Sequence, residues 1–233
     1  MTDARWYYNE LIQSGVDYTS VEEVQRYDIR MGKLRDIQGE IDIIVEALRP
    51  SPESTILEIG SGTGEFAIAL SKLCRKLYAI DVSPIMIDYA REKAKFNNVN
   101  NIEFYNAGFL TFDYTGEKFD HVYSHLALHH LPDFWKQIAL KKIYSLLKSG
   151  GKFFFMDVVY PSDIGDYETF FQDIIKELEE SVGSEYTKEY YEHISKEFST
   201  LDWIMEKLLT SAGFTISHSS LENKIMATYV CTK

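Results

Sequence analysis

Thr55-Ile-Leu-Glu-Ile-Gly-Ser-Gly-Thr-Gly-Glu65 is a short apolar run that stops in a glycine-rich turn and opens a helix, and Leu77-Tyr-Ala-Ile-Asp81 follows as a second apolar run ending in an acid. That succession describes one βαβ nucleotide-binding half. Gly60, Gly62 and Gly64 let the backbone turn sharply, bring amides close to a ligand and seat the helix on the strand before it. Asp81, at the carboxyl end of the second strand, can accept hydrogen bonds from both hydroxyls of a ribose. The spacing also separates cofactors. Dinucleotide binders favour G-x-G-x-x-G, whereas the sixth place here is Glu65, a carboxylate near where a pyrophosphate would sit.

Strands and helices alternate outward from this stretch. Leu34, Ile37, Ile41, Ile44, Val45 and Leu48 recur at steps of three and four, which predicts one amphipathic helix ending before Pro50. Strands follow at Thr55–Ile59, Leu77–Ile80 and Ile102–Tyr105, with a helix from about Glu65 to Lys76 and another opened by Ser83 and Pro84. Phe119–Ser124 reads as the fourth strand. Asp133 is the expected cap of a helix facing inward through Trp135, Ala139, Ile143, Leu146 and Leu147, with Gly150 just beyond its end. Lys152–Val159 is a nearly continuous apolar run, as in a strand covered on both faces. The alternation then lapses. Two helical patterns, Phe170 to Val182 and Tyr190 to Phe198, make residues 160–200 an expected inserted cap. Ser199-Thr-Leu-Asp202 reads as a capping box, and Phe214–Ser217 with Ile225–Cys231 as a closing hairpin around Glu222-Asn-Lys224. The expectation is an α/β chain with a mostly parallel sheet and right-handed crossovers.

Composition bounds the rest. With 233 residues, 45% of them hydrophobic, the chain can bury one substantial core, so residues 1–233 are expected to form a single domain with an N-terminal helical cap over 1–50. No basic start with an apolar run opens the sequence, and no stretch approaches the ~18 apolar residues of a membrane span. Cys74 and Cys231 stand far apart, which favours two reduced thiols over a disulfide and a cytoplasmic setting. A net charge of −12 repels polyanions and argues against a nucleic-acid partner. Residues 163–197 hold eleven Asp or Glu against Lys176, Lys188 and Lys196, so two thirds of that charge lies in the insertion. It forms either a solvated helical face or an attractor for a cationic substrate such as an amine.

With Glu58 before the turn, E-I-G-S-G-T-G resembles motif I of the class I S-adenosylmethionine (SAM) methyltransferases. Asp81-Val-Ser-Pro-Ile-Met86, Phe119-Asp-His-Val-Tyr-Ser124, Ala127-Leu-His-His-Leu-Pro-Asp133 and Leu146-Leu-Lys-Ser-Gly-Gly-Lys152 follow in the family's order, and the likeness covers roughly residues 54–160. It implies a Rossmann-like, seven-stranded sheet with an antiparallel C-terminal hairpin strand and helices on both faces. It also implies SAM as cofactor and methyl transfer to a small-molecule acceptor. Glu58 belongs to this motif. Backbone around Gly60, Ser61, Gly62 and Gly64 would hold the methionyl end, Asp81 the ribose, and Val82 and Met86 the adenine face. Gly108 and Phe109 would cover the adenine edge, and His125 with Leu126 the far side of the methionyl group. Many relatives carry Asp where Gly108 stands, so a backbone carbonyl or a water is expected to serve the adenine amino group here.

Four of the six histidines are His121, His125, His129 and His130, but no His-Glu-x-x-His occurs and no metal site is expected. The resemblance puts His129 and His130 in the turn facing the transferred methyl, with His130, then His129, as the candidate catalytic residue against a structural hydrogen-bonding role. The chain lacks the Asn/Asp-Pro-Pro-Tyr/Phe signature of adenine and glutamine methylases. It also has no Glu between Lys118 and Glu168, where protein arginine methylases keep paired glutamates. Tyr167, Phe170, Phe171, Tyr186, Tyr190, Tyr191 and Phe198 form either helix core or an aromatic pocket for a flat or cationic acceptor. A non-catalytic SAM-binding regulator, chemistry on SAM itself and a NAD-dependent oxidoreductase are the rival readings.

Overall fold

The computed structural model describes residues 6–12 and 20–233, with the side chains of residues 21, 23, 25, 182 and 184–186 outside the description. Strands β1 (Thr55–Ile59), β2 (Lys76–Asp81), β3 (Ile102–Asn106), β4 (Phe119–His125) and β5 (Leu147–Tyr160) are mutually parallel. They continue through β8 (Met226–Thr232), antiparallel to β5, and β7 (Thr215–Glu222), antiparallel to β8, in the order β3-β2-β1-β4-β5-β8-β7. A two-residue β6 (Thr200–Leu201) pairs beside the end of β5. The expected seven-stranded sheet is therefore present, with one short strand added.

Side-chain alternation along the central strands builds two cores. Leu57, Val122, Phe153 and Phe155 meet α5 (Asp133–Leu146) and α8 (Asp202–Ser211) on one face. Ile56, Tyr123, Phe154 and Met156 meet α2 (Ile37–Leu48) and α3 (Glu65–Ser71) on the other. Cys74 and Cys231 are buried free thiols, pushed up by burial to about 11 and about 12. Among the described residues, no helix is long and apolar enough to cross a membrane.

Several boundaries differ from expectation for identifiable reasons. The N-terminal pattern is two helices, α1 (Val21–Leu34) and α2, because the Asp36 side chain accepts from Gly39 N at 3.1 Å and starts a new helix. Helix α3 stops at Ser71, and Asn101 Nδ2 donates to Ser71 O and Cys74 O to hold the turn into β2. Ser83 does cap α4 (Pro84–Phe96), accepting from Met86 N. Asp133 is not the cap of α5: Pro132 holds that place, and the Asp133 carboxylate accepts from Lys136 Nζ and Thr200 Oγ1 instead. That helix passes directly into extended Leu147, so Gly150, at φ +75°, lies in the register shift between β4 and β5 and ends no helix. The Ser199–Asp202 box does not form. Ser199 Oγ bonds His193 Nε2, and Thr200 and Leu201 pair with Val159 and Tyr160. The closing hairpin turns through Asn223 and Lys224, both at positive φ, as a two-residue type I′ turn requires. The insertion is α6 (Tyr167–Val182) and α7 (Ser184–Lys196).

Candidate active site

The sheet order reverses direction between β1 and β4, and ligands of open α/β sheets sit outside the carboxyl ends of strands at such a point. Two adjoining clefts open there, of about 810 and 820 Å³, sharing Tyr27, Gly60, Gly62, His125 and Leu126. Gly60 (φ +80°) and Gly62 (φ +51°) make the turn after β1. A Cβ on Gly60 would lie 2.4 Å from Ala127 Cβ, so the β1 turn can touch the loop after β4 only as glycine. Gly64 instead lets α3 approach α4, since its Cβ would lie 2.9 Å from Ala90 Cβ.

Asp81 organises this turn. Its Oδ2 accepts from Gly62 N and its Oδ1 from Ser83 N, both at 2.8 Å, so each oxygen keeps one further acceptor position toward the first cleft. Burial raises its pKa, and the two amide bonds temper the rise. Val82, Met86, Gly108 and Phe109 line the same cleft with His125, Leu126 and His130. Glu58 and Ser61 face the second cleft. Glu58 is 2% exposed, with no partner for Oε2 among the described residues. Burial pushes its carboxyl well above the usual range against a lowering by Tyr123, and the nearby Asp81 adds to the rise. A cation placed in this cleft would be held strongly.

His125 is wedged, not free. Arg35 Nη2 lies 3.0 and 3.2 Å from its ring nitrogens, Met156 Sδ is 3.1 Å from Nε2, and Phe66 stacks on it at 4.8 Å. Burial and then the Arg35 charge pull its pKa well down, so the ring is neutral. Arg35 itself is paired with Glu40, whose Oε1 accepts from Nε at 3.0 Å. On the outer side, Lys93 Nζ joins Asp28 of α1, at 2.6 Å, to Glu65. Glu65 therefore carries a counter-ion.

The histidine quartet divides. His121 pairs in register with Ile56 and Lys152 within the sheet, away from either cleft. His129 and His130 sit at the β4 exit. The buried Asp157 carboxylate accepts from His129 N at 3.0 Å and meets His129 Nδ1, while His129 Nε2 is 3.3 Å from Glu197 Oε2. Burial alone would depress His129, but Asp157 and then Glu197 bring it above its ordinary value. Burial would likewise raise both carboxyls. The His129 charge holds Asp157 down, and the bond from His193, then His129, holds Glu197 down. His130 is the member that faces the cleft: burial and the neighbouring His129 lower it to about 3, and its Nδ1 has no hydrogen-bond partner among the described residues. His129, His130 and Glu197 offer ligand atoms within 4.8 Å of one another. His129 is already committed to both carboxylates, whose charges raise its pKa.

Glu197, Asp157, Arg35, Tyr27 and Glu10 are site residues that the sequence reading missed. Asp157 had a signal, as the lone acid in the apolar run Lys152–Val159. Glu197 had none, being one acid among eleven; with His193 it comes from the insertion to this cluster, where its side chain is 3% exposed. Phe198 N, donating to His129 O at 2.8 Å, fastens the insertion there. The expected aromatic pocket is not formed by these clefts: none of Tyr167, Phe170, Phe171, Tyr190, Tyr191 or Phe198 lines them, and the Tyr186 side chain lies outside the described residues. Tyr167 and Tyr191 are exposed, and Phe171 packs edge-on against Tyr160 at 5.3 Å.

The profile of a methyltransferase-domain family matches residues 56–151, the segment holding β1 to the start of β5. An uncharacterized methyltransferase of Geobacillus kaustophilus is 30% identical over 205 residues, 83% of each chain. Among solved structures, a SAM-dependent methyltransferase of Clostridium acetobutylicum superposes with a TM-score of 0.68 at 14% identity, covering 89% of this chain and 98% of that one. The N-methyltransferase NodS of Bradyrhizobium japonicum, in complex with S-adenosylhomocysteine (SAH), gives 0.59 at 18% identity, covering 84% and 86%. The ordered motifs, the sheet that carries them and the 30% identical relative together establish that the chain belongs to the class I SAM-dependent methyltransferases.

Proposed function

We propose that the two clefts hold one SAM molecule and that its methyl group passes to a small-molecule acceptor between His130 and the insertion. The observation that carries this reading is the pairing of Asp81, with acceptor positions open to the first cleft, and Glu58, a buried carboxylate lacking a cation at the second. A ribose diol suits the former and a methionyl ammonium the latter. Arg35 stands beside the same cleft for the methionyl carboxylate. The turn of Gly60, Ser61 and Gly62 brings backbone against the ligand, with Gly64 seating α3. Val82, Met86, Gly108 and Phe109 enclose the base, and His125 and Leu126 border both ends.

SAM, when bound, supplies a methyl group on a sulfonium leaving group. The protein's tasks are then to hold the acceptor at attack distance and to exclude water, effects worth up to ~7–11 kcal/mol in well-oriented systems. His130 is neutral, and its ring borders the first cleft beside the acceptor. Glu197, 3.9 Å from its Nδ1, is placed to offset positive charge arising on the ring. His129 is a positioning residue, locked between Asp157 and Glu197. The N-terminal helices border the second cleft and the 160–200 insertion backs His129 and His130, within a single catalytic domain. The net charge of −12 and the acids of the insertion disfavour a nucleic-acid acceptor.

Incubation with methyl-labelled SAM and the small-molecule fraction of a cell extract tests this. Label is expected in a low-mass product identified by mass spectrometry. Transfer only to macromolecules would overturn the acceptor class, and no transfer at all would overturn the catalytic reading.

A further inference from the structure

Gly108 and Glu10, 98 positions apart in the sequence, meet at one place. Glu10 is 7% exposed and forms part of the first cleft's wall. Its Oε1 accepts from Thr111 N at 2.7 Å, Thr111 Oγ1 at 2.7 Å and Leu110 N at 2.9 Å. Among the described residues, Oε2 takes only the longer contact to Leu110 N, at 3.1 Å, which leaves it acceptor capacity. A Cβ on Gly108 would lie 2.6 Å from Glu10 Cδ and Oε2 and 2.7 Å from Val82 Cγ1. Gly108 does not have a positive φ. Glycine is required there for room, and the occupant of that room is a carboxylate.

The rest of this end of the cleft is apolar, with Val82, Met86 and Phe109 suited to the faces of a flat ring. A ring slot that ends on a carboxylate oxygen favours a base bearing an N–H donor on its edge. We propose that Glu10 Oε2 accepts from the exocyclic amino group of the adenine, so that the segment holding residues 6–12 supplies the base-specifying carboxylate and Gly108 is glycine to admit it. This rests on the reading of the first cleft as the adenosyl site. It replaces the backbone carbonyl or water expected from sequence. The segment is anchored independently of Glu10: Tyr7 packs on Trp135 at 5.0 Å, and Tyr8 Oη donates to His130 O at 3.1 Å.

The test is a calorimetric comparison of SAH with S-inosylhomocysteine, in which a 6-oxo group replaces the 6-amino group, on the whole chain. Wild type is expected to prefer SAH by about 10- to 100-fold, the value of one hydrogen bond to a charged acceptor. Glu10→Ala should bring the ratio close to one. In Glu10→Gln, the Leu110 and Thr111 donors draw the amide oxygen toward them and turn the NH2 to the base, so the preference should move toward the 6-oxo ligand. If Glu10→Ala folds poorly, the near-isosteric Gln variant carries the test, and Glu10→Ala/Gly108→Asp should restore the preference for SAH by returning a carboxylate to the vacated space. An unchanged ratio, or an equal loss for both ligands, would overturn the proposal and leave Glu10 as a cap on the 108–111 turn. Failure of wild type to bind SAH at all would overturn the cofactor reading and this proposal with it.

Discussion

The glycine turn after β1 lines both clefts, the insertion after β5 reaches only the back of His129 and His130, and the two are secured by different physics. In the turn, amides and one carboxylate do the work: Gly60 N and Ser61 N donate to Ile80 O, and Gly62 N donates to Asp81. The insertion is fastened by the Phe198 amide and by a buried row of side-chain contacts through Asp157, His129, Glu197 and His193. The first arrangement is set chiefly by backbone geometry. The second depends on protonation throughout, so the attachment of the insertion should respond to pH.

Substitutions can separate the two. Gly60→Ala places a Cβ 2.4 Å from Ala127 in a left-handed residue and should show the largest effect. The expected outcome is a loss of SAH affinity above about 100-fold and about 2–4 kcal/mol of stability, read by calorimetry and chemical denaturation. Asp81→Ala removes the brace on Gly62 and Ser83 along with the ribose acceptors, and should weaken SAH by about 10- to 100-fold. Glu197→Gln should leave SAH binding unchanged and lower kcat about tenfold, since it disturbs only His129, His130 and His193. Equal losses in both measurements would dissolve the division between the regions. Glu58→Gln should act in opposite directions: removing a buried carboxyl that is costly to ionise raises Tm by about 2–4 °C, while SAH affinity falls about fivefold.

The pH dependence carries a definite sign. His129 is raised above its ordinary 6.5, so its contribution to holding the insertion is complete below about 6.5 and is lost as pH rises through the higher folded value. Asp157 and Glu197 are lowered, so their contributions are complete above about 4.3 and are lost as pH falls through their folded values. Amide exchange over residues 184–199 should be slowest between those limits and faster on either side, with β1 and β2 showing no such window. His129→Gln should flatten the alkaline limb.

What was legible from sequence follows the same division. The β1 turn, Asp81 and the Ser83 cap are local, each imposing its geometry within a few residues, and the strands around them read correctly to within one or two positions. Features that depend on distant partners did not read correctly. Asp133 looked like a cap because nothing local shows Lys136 and Thr200 competing for its carboxylate. Ser199 to Asp202 matched a capping box, yet edge pairing with β5 claimed Thr200 and Leu201. The break at Asp36 was hidden because the apolar spacing runs through it. Glu10 and Glu197, 187 positions apart in the sequence, approach the cleft only through tertiary structure.

The most direct test of the account is a calorimetric titration of wild type and Asp81→Ala with SAH, with NAD as the competing ligand. The account predicts saturable, one-to-one heat with SAH in wild type, heat strongly reduced in the variant, and none with NAD in either. Silence with SAH together with a response to NAD would contradict it.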